Sequence, residues 1–219
     1  FTYASTSATT GTTYTWSRAS VTGISNPAAS GADTIMEVLE DTTVNPVTVT
    51  YMDTLLANGC MNTQTVTVAV NPKPVLTTPL TIATICDSSS ITYVPASATT
   101  GTTFTWSRAA IPGSNPAASG ADTIMEILYD TSANPITVVY WDTLKANGCM
   151  NVQPITLTVN PTPKLSSTLT PAGICDSDQF NYIVTSRTVG ATFTWDRAFV
   201  VGIGLPAGTG TGNPAEYIK

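Results

Sequence analysis

An internal repeat is the feature that most constrains the fold of this chain. Residues 25–37 (SNPAASGADTIME) recur unchanged at 114–126, and residues 8–13 (ATTGTT) recur at 98–103. A more divergent third copy begins at 174–176 (Ile-Cys-Asp) and contains Phe-Thr-Trp-Asp-Arg-Ala at 193–198. Self-similarity at a fixed period of about 90 residues indicates an array of similar small domains.

Two proline motifs divide the copies. Asn-Pro-x-Pro occurs at 71–74 and at 160–163, and two prolines at this spacing stiffen the backbone and cannot continue a sheet. The sequence therefore predicts repeat 1 at 1–70, repeat 2 at 75–159 and repeat 3 at 164–219, joined by linkers 71–74 and 160–163. Repeat 2 is expected to be complete, repeat 1 to lack its amino-terminal part and repeat 3 its carboxy-terminal part.

Composition and strand signals predict an all-β fold. Charged residues make up 10% of the chain, against about 25% in an average soluble protein, and β-branched residues suit pleated surfaces. Alternating apolar residues predict several short strands in repeat 2, and Asn147-Gly148 predicts the hairpin that joins its last two strands. Phe104 and Trp106 share a strand face, so Trp106 is the predicted core anchor, with Trp16 and Trp195 as its counterparts. The expected unit is an immunoglobulin-like sandwich.

Charge and hydropathy exclude two classes of partner. The net charge is −6 and the eight basic residues are scattered, so no basic patch is available to neutralise phosphates of nucleic acid. No run of eighteen apolar residues occurs, so we expect no membrane insertion by this segment.

The sequence also argues against catalysis. It contains no His, which excludes Ser-His-Asp and Cys-His arrangements, and no phosphate-binding or dinucleotide-binding loop. Without His or a Cys-x-x-Cys motif, a zinc site is not expected either. We therefore predict that the chain is not an enzyme and binds no cofactor.

The cysteines at 60, 86, 149 and 175 predict an oxidising compartment. The repeat favours a disulfide between Cys86, which opens repeat 2, and Cys149, which starts its final strand. Cys60 and Cys175 would then pair with residues outside this chain. The alternative joins neighbours, Cys60 to Cys86 and Cys149 to Cys175.

Two sets of charged residues recur and have alternative interpretations. The acidic residues Asp33 and Glu37, with their counterparts Asp122 and Glu126, are spaced to share a strand face and are candidate calcium ligands. The favoured interpretation is that they solvate an exposed strand and no metal binds. The second set is the arginine two residues after each Trp, interpreted as a rim residue packed on an aromatic ring rather than as a ligand-binding cation; these are Arg18, Arg108 and Arg197.

The recurring elements together resemble a known family. An opening Ile-Cys-Asp, Phe-Thr-Trp-x-Arg-Ala, Ile-x-Glu-x-Leu, Asn-Gly-Cys and Val-Asn-Pro-x-Pro follow in this order, and the pattern resembles the PKD-like (polycystic-kidney-disease-like) repeats. These occur in very large surface and secreted proteins of gliding, type IX-secreting Bacteroidota. The resemblance implies an immunoglobulin-like module of an extracellular or outer-membrane-associated cell-surface protein, exported with a carboxy-terminal signal.

The same resemblance implies O-glycosylation. Bacteria of this group attach glycans at Asp-Ser/Thr followed by an apolar residue, and four threonines fit that motif: Thr34, Thr54, Thr123 and Thr143.

The predicted function is a structural stalk or adhesive repeat region, in which proline-linked repeats add length. The expected partners are neighbouring repeats of the same chain, surface polysaccharide or other surface proteins. The first alternative is a carbohydrate-binding or protein-binding module, for which Trp141 and Tyr129 in repeat 2 are the candidate exposed aromatic residues. The second alternative is a subunit of a homopolymeric extracellular fibre, because low charge suits lateral contacts.

Overall fold

The computed structural model describes residues 1–218, and within that range it contains strands and loops but no helix. The all-β prediction is confirmed. No helix of the described chain is long and apolar enough to span a membrane.

Residues 1–218 form seventeen strands, which are distributed over the three predicted repeats. Repeat 1 contains β1 (Thr2–Ala4), β2 (Thr13–Arg18), β3 (Ala29–Ala32), β4 (Thr34–Met36), β5 (Val47–Ala57) and β6 (Cys60–Val70). Repeat 2 contains β7 (Ile85–Cys86), β8 (Ser89–Tyr93), β9 (Thr103–Arg108), β10 (Ala118–Ala121), β11 (Ile124–Leu128), β12 (Ile136–Ala146) and β13 (Cys149–Asn160). Repeat 3 contains β14 (Gln179–Asn181), β15 (Thr194–Arg197), β16 (Gly208–Thr211) and β17 (Ala215–Tyr217).

Repeat 2 is a two-layer sandwich. One layer is a five-stranded sheet in the order β10-β9-β12-β13-β7, and the other pairs β11 with β8. The buried core between them draws on both layers: Ile91, Tyr93, Trp106, Ile124, Leu128, Val138, Tyr140, Ile155, Leu157 and Val159. The two long strands β12 and β13 alternate buried and exposed residues, because only one face of the sheet covers the core.

The same arrangement recurs in the other two repeats. In repeat 1 a sheet in the order β3-β2-β5-β6 is accompanied by the pair β1-β4, and a smaller buried cluster surrounds Trp16 and Tyr51. In repeat 3 the pairs are β15-β16 and β14-β17. Among the described residues, every sheet lies within one repeat.

The predicted Asn-Gly hairpin of repeat 2 is confirmed. Asn147 and Gly148 have φ of 49° and 80° and join β12 to β13, which pair in antiparallel register from Ala146 and Cys149 to Ile136 and Val159. Positive φ at both turn positions suits a two-residue hairpin turn. The β12–β13 hairpin is the longest strand pair of repeat 2 and runs along its length. Its turn therefore lies at one end of the repeat, and Ile136 and Val159 lie at the other.

The segment that enters repeat 2 runs along this hairpin. The amide of Ile82 donates to the carbonyl of Thr156 (2.8 Å), and β7 pairs in parallel with β13, with Ile85 opposite Val159 and Cys86 opposite Asn160. The segment therefore follows the second half of β13, from Thr156 to its end at Asn160.

Candidate functional site

Each repeat contains an arginine–glutamate ion pair; the pairs of repeats 1 and 2 have a buried arginine, and that of repeat 2 is described first. Arg108 on β9 is 4% exposed. Its Nε donates to Glu126 Oε2 (3.0 Å) and its Nη2 to Glu126 Oε1 (2.8 Å). The remaining donors reach main-chain carbonyls, Nη1 to Ala109 (2.7 Å) and Nη2 to Pro116 (3.1 Å). The guanidinium thus holds together β9, β11 and the loop that precedes β10.

A tyrosine completes the cluster. The Tyr140 hydroxyl donates to Glu126 Oε2 (2.6 Å), and the Arg108 guanidinium lies 6.0 Å from the centre of the Tyr140 ring. Burial alone would raise the pKa of Glu126, but the hydrogen bonds from Arg108 and Tyr140 outweigh it and hold that pKa below its ordinary value. Burial, followed by the bond to Glu126, raises the pKa of Tyr140. Glu126 is therefore a carboxylate at neutral pH, and Tyr140 keeps its proton.

Repeats 1 and 3 carry the equivalent pairs. Arg18 donates to Glu37 at 2.8 and 2.9 Å, and Arg197 donates to Glu216 at 2.8 and 3.3 Å. In repeat 1 Tyr51 occupies the place of Tyr140, and burial raises its pKa to about 12. The recurring arginine is thus a structural cation. In repeats 1 and 2 it lies over a tyrosine ring, as expected, but it is buried and ion-paired rather than at the rim.

The structure does not bring the candidate calcium ligands together, and it contradicts the interpretation that the glutamates solvate an exposed strand, because both are paired with a buried arginine. Asp33 and Asp122 have φ of 60° and 54°, so each interrupts its strand and does not share a continuous strand face with the glutamate four residues later. The glutamates, Glu37 and Glu126, already accept hydrogen bonds from arginine and tyrosine. No group of three His, Cys, Asp or Glu side chains placed to hold a metal ion occurs among residues 1–218.

The tryptophans lie on a glycine of the neighbouring strand. Trp106 is 8% exposed and pairs with Gly120 of β10, where a Cβ atom would come within 2.9 Å of the indole. Trp16 stands in the same relation to Gly31, and the half-buried Trp195 to Gly210. Sequence reasoning placed the tryptophans in the core but missed the glycines, although Ser-Gly-Ala is one of the repeated segments.

The predicted disulfide between Cys86 and Cys149 is wrong. Cys149 begins β13, whereas Cys86 lies opposite Asn160, eleven residues further along the same strand. At about 3.4 Å per residue, the two cysteines lie about 37 Å apart, far beyond the separation of about 7 Å that a disulfide can bridge. The error arose because an opening strand was assumed to lie beside the start of the last strand. It runs parallel to that strand and ends at its far end.

The alternative pairings are not present either. All four cysteines are free thiols in the part of the chain that the structure describes, so neither Cys60 with Cys86 nor Cys149 with Cys175 is joined. Cys149 instead contacts the end of repeat 1, because its Sγ lies 3.5 Å from the carbonyl oxygen of Asn71.

The junction between repeats 1 and 2 is a docked segment. Asn71 Nδ2 donates to the carbonyl of Asn147 in the hairpin turn (2.7 Å), and Asn151 Nδ2 donates to the carbonyl of Pro74 (2.8 Å). The side chain of Pro72 is fully buried. The prediction treated residues 71–74 as a stiff spacer; the structure instead packs the spacer against the hairpin of repeat 2.

At the junction between repeats 2 and 3, Asp87 joins the second linker to repeat 2. Its Oδ1 accepts from the amide of Asp130 (2.8 Å), and its Oδ2 accepts from Thr162 Oγ1 in the second linker (3.0 Å). These bonds, led by the Asp130 amide, lower the pKa of Asp87. A main-chain bond joins the two repeats directly, from the Val189 amide to the Ala133 carbonyl (3.1 Å).

The four candidate glycosylation threonines fall into two environments. Thr34 is exposed and Thr123 half-buried, and each follows an aspartate with positive φ at a corner of the sandwich. Thr54 and Thr143 lie inside the central strands β5 and β12, where both neighbouring strands are paired to them. Thr34 is the most exposed of the four, whereas Thr54 and Thr143 are half-buried like Thr123 and differ from it in lying within a paired strand.

The buried carboxylate of Asp142 in repeat 2 lacks the hydrogen bonds that stabilise Glu126. Asp142 on β12 is 1% exposed, and among the described residues neither of its oxygens accepts a hydrogen bond of normal geometry. Burial raises its pKa to about 6, and the Thr143 amide offers only weak compensation. In repeat 1 the corresponding Asp53 accepts a hydrogen bond from the Ser5 hydroxyl, whereas repeat 2 has Pro95 at the position of Ser5.

Comparison with known families supports the fold of the central repeat. Residues 83–164 match the PKD-like domain, and no curated protein matches the chain significantly. The fold is therefore all-β and immunoglobulin-like. Domains of this type are non-catalytic and are commonly structural or adhesive modules of extracellular or surface proteins.

Proposed function

We propose that this chain is a stalk segment of a large cell-surface or secreted filamentous protein, in which tandem PKD-like repeats hold an adhesive region away from the cell. The observation that carries the proposal is the docking of the first linker onto the hairpin of repeat 2. A free linker would let the repeats rotate independently. A docked linker fixes the relative orientation of neighbouring repeats, so each added copy increases the length of the array.

The contacts at the first junction support stiffness. Asn71 and Asn151 each make a side-chain hydrogen bond across the boundary, and Pro72 is buried there. Proline has little backbone entropy to lose on docking, so a proline linker is held at lower entropic cost than a flexible one. The near-identity of repeats 1 and 2 suits duplication for length.

Small-angle X-ray scattering of the chain tests the proposal. We expect an elongated particle whose maximum dimension is unchanged by added salt. The double variant Asn71→Ala/Asn151→Ala should broaden the distance distribution, because it removes both side-chain bonds across the junction. The matched control is Asn62→Ala, at the exposed position of repeat 1 that corresponds to Asn151. A compact wild-type particle, or a double variant indistinguishable from the control, would contradict the stalk.

A second candidate function is carbohydrate binding by repeat 2. Trp141 on β12 is 51% exposed on the outer face of the sheet, in a shallow depression that it forms with the 109–112 loop and Ile136. Exposed aromatic rings bind sugar faces and cations. Repeat 1 has Met52 at the corresponding position, so this site would belong to repeat 2 alone. Binding of the wild type on a glycan array, and its loss in Trp141→Met, would favour the binding module over the stalk.

If the protein is located at the cell surface, we also expect O-glycosylation at some of the four candidate threonines. The exposed corner at Thr34 and its counterpart Thr123 would accept O-glycans, whereas Thr54 and Thr143 would stay unmodified. Intact-mass measurement of the protein from its native source, followed by peptide mapping, tests this; a native mass without hexose-sized additions contradicts it.

A further inference from the structure

We propose that successive repeats are joined by disulfides between the opening cysteine of one repeat and the hairpin cysteine of the next. Under this proposal Cys149 bonds to the counterpart of Cys86 in repeat 1, and Cys86 bonds to the counterpart of Cys149 in repeat 3. Both counterparts lie outside the chain, so the inference rests on the tandem array proposed above.

The position of the opening cysteine is defined by repeat 2. Cys86 lies opposite Asn160 in the parallel pair of β7 and β13, and the amide of the next residue, Asp87, donates to the Asn160 carbonyl (2.7 Å). Neighbouring strands are about 4.8 Å apart. The opening cysteine is therefore beside the asparagine that ends its own repeat.

The position of the hairpin cysteine is defined by the junction. Asn71 ends repeat 1 as Asn160 ends repeat 2, in the same Val-Asn-Pro-x-Pro motif. The Asn71 carbonyl oxygen lies 3.5 Å from Cys149 Sγ, and the Asn71 side chain donates to Asn147 in the adjoining turn. The hairpin cysteine is therefore beside the asparagine that ends the preceding repeat.

The two cysteines thus lie beside equivalent asparagines, Asn160 for Cys86 and Asn71 for Cys149. Asn160 and Asn71 are equivalent, so the two contacts can be combined at a single junction between complete repeats. There the opening cysteine of one repeat is one strand spacing from the asparagine, and the hairpin cysteine of the next repeat contacts the carbonyl of that asparagine. A disulfide needs Cα atoms about 4.4 to 6.8 Å apart, and a shared neighbour brings the two cysteines close enough for that separation to be tested. Within repeat 2, by contrast, the same two cysteines lie at opposite ends of β13.

The bond would form by exchange with a small-molecule or protein disulfide, RSSR. The thiolate of one cysteine attacks RSSR and releases RSH as a mixed disulfide forms; the second cysteine then displaces the other RSH. Two cysteine thiols are oxidised and one RSSR is reduced to two RSH. The product encloses each repeat in a covalent loop, so a pulling force on the array would pass through the disulfides.

The test extends the full chain at its amino terminus with a second copy of residues 83–90. This addition supplies repeat 1 with an opening cysteine, which can choose between Cys60 in its own repeat and Cys149 in the next. The extended chain is refolded in a buffer of reduced and oxidised glutathione, alkylated, digested and mapped by mass spectrometry. We expect most of the added cysteine to be linked to Cys149, with Cys60, Cys86 and Cys175 alkylated.

Two variants make the result specific. Moving the added cysteine by one residue, to the position of Ile85, turns its side chain to the opposite face of the strand and should abolish the link. Cys60→Ser should leave the link unchanged. The proposal is overturned if the added cysteine bonds to Cys60, or if Cys149 remains alkylatable under conditions that fold the chain. Neither result bears on the stalk, which is tested separately by scattering.

Discussion

The carboxylate of Glu126 accepts two hydrogen bonds from the Arg108 guanidinium, from Nε at 3.0 Å and from Nη2 at 2.8 Å. Arg108 is almost completely shielded from water inside the sandwich. Two charges in such a place are favourable only when each is matched by the other and by further hydrogen bonds. The carbonyls of Ala109 and Pro116 and the hydroxyl of Tyr140 supply those bonds. The pair links the two layers of the sandwich, because Arg108 is on β9 and Glu126 is on β11.

Glu126→Gln should destabilise repeat 2 by about 3 kcal/mol, because removing one partner leaves a buried guanidinium uncompensated. Urea unfolding followed by tryptophan fluorescence measures the loss. The matched control is Glu216→Gln in repeat 3, where the arginine side chain is 19% exposed and water replaces part of the lost interaction. A loss at Glu126 no larger than that at Glu216 would contradict the role of burial.

Tyr140→Phe should destabilise repeat 2 by about 1.5 to 2 kcal/mol, because a hydrogen bond to a charged acceptor is lost while the ring remains. The substitution keeps the edge-on contact between Tyr140 and Trp106, whose ring centres are 5.7 Å apart. Tyr129→Phe, at a residue that is 42% exposed, should change the free energy of unfolding very little. Equal effects of the two substitutions in chemical denaturation would argue against the bond to Glu126.

Gly120→Ala should destabilise repeat 2 by about 1 to 3 kcal/mol, because the added methyl group overlaps the Trp106 indole and forces a core side chain to move. The Cβ atom would lie 2.9 Å from Trp106 Cζ2. Gly173→Ala is the control, since no described atom lies within 4 Å of the Cβ position there. Thermal unfolding compares the two variants. An unchanged unfolding midpoint for Gly120→Ala would contradict the close contact between Gly120 and the Trp106 indole.

Asp142→Asn should stabilise repeat 2 by about 2 kcal/mol at pH 7.5 and have little effect near pH 4. The pKa of Asp142 is raised to about 6 in the folded chain, so the folded state binds this proton more tightly than the unfolded state. The contribution of Asp142 to stability is therefore greatest below its unfolded pKa of about 3.9, falls as the pH rises towards 6, and is level above that. The amide cannot ionise, so the variant loses this pH dependence.

Asp53→Asn provides the comparison in repeat 1. Asp53 accepts a hydrogen bond from Ser5, so its replacement should give a smaller gain at pH 7.5, or a loss. Urea unfolding at pH 4, 6 and 7.5 measures both variants. A gain from Asp142→Asn that is the same at all three pH values would show that ionisation of Asp142 is not its cause.

Much of the fold and part of the site could be predicted from local pattern. The period of the repeat, the β-branched composition and the Asn147-Gly148 turn each act over a few residues, so they indicate strands and hairpins without knowledge of their neighbours. Trp106 was placed in the core because alternation along one strand distinguishes the inner face from the outer. The pairing of Arg108 with Glu126 was open to prediction as well, since both residues recur in every repeat at nearly constant spacing.

By itself, the sequence determined the all-β class, the repeated unit and the tryptophan faces, because these depend on interactions between residues close in the chain. Only the tertiary structure decided that Cys86 and Cys149 lie at opposite ends of repeat 2 and that the first proline linker is docked. Those outcomes depend on strand order and direction: β7 runs parallel to β13, which carries Cys86 to the far end of the repeat from Cys149. No local pattern encodes that direction, since parallel and antiparallel placements of so short a strand use the same residues.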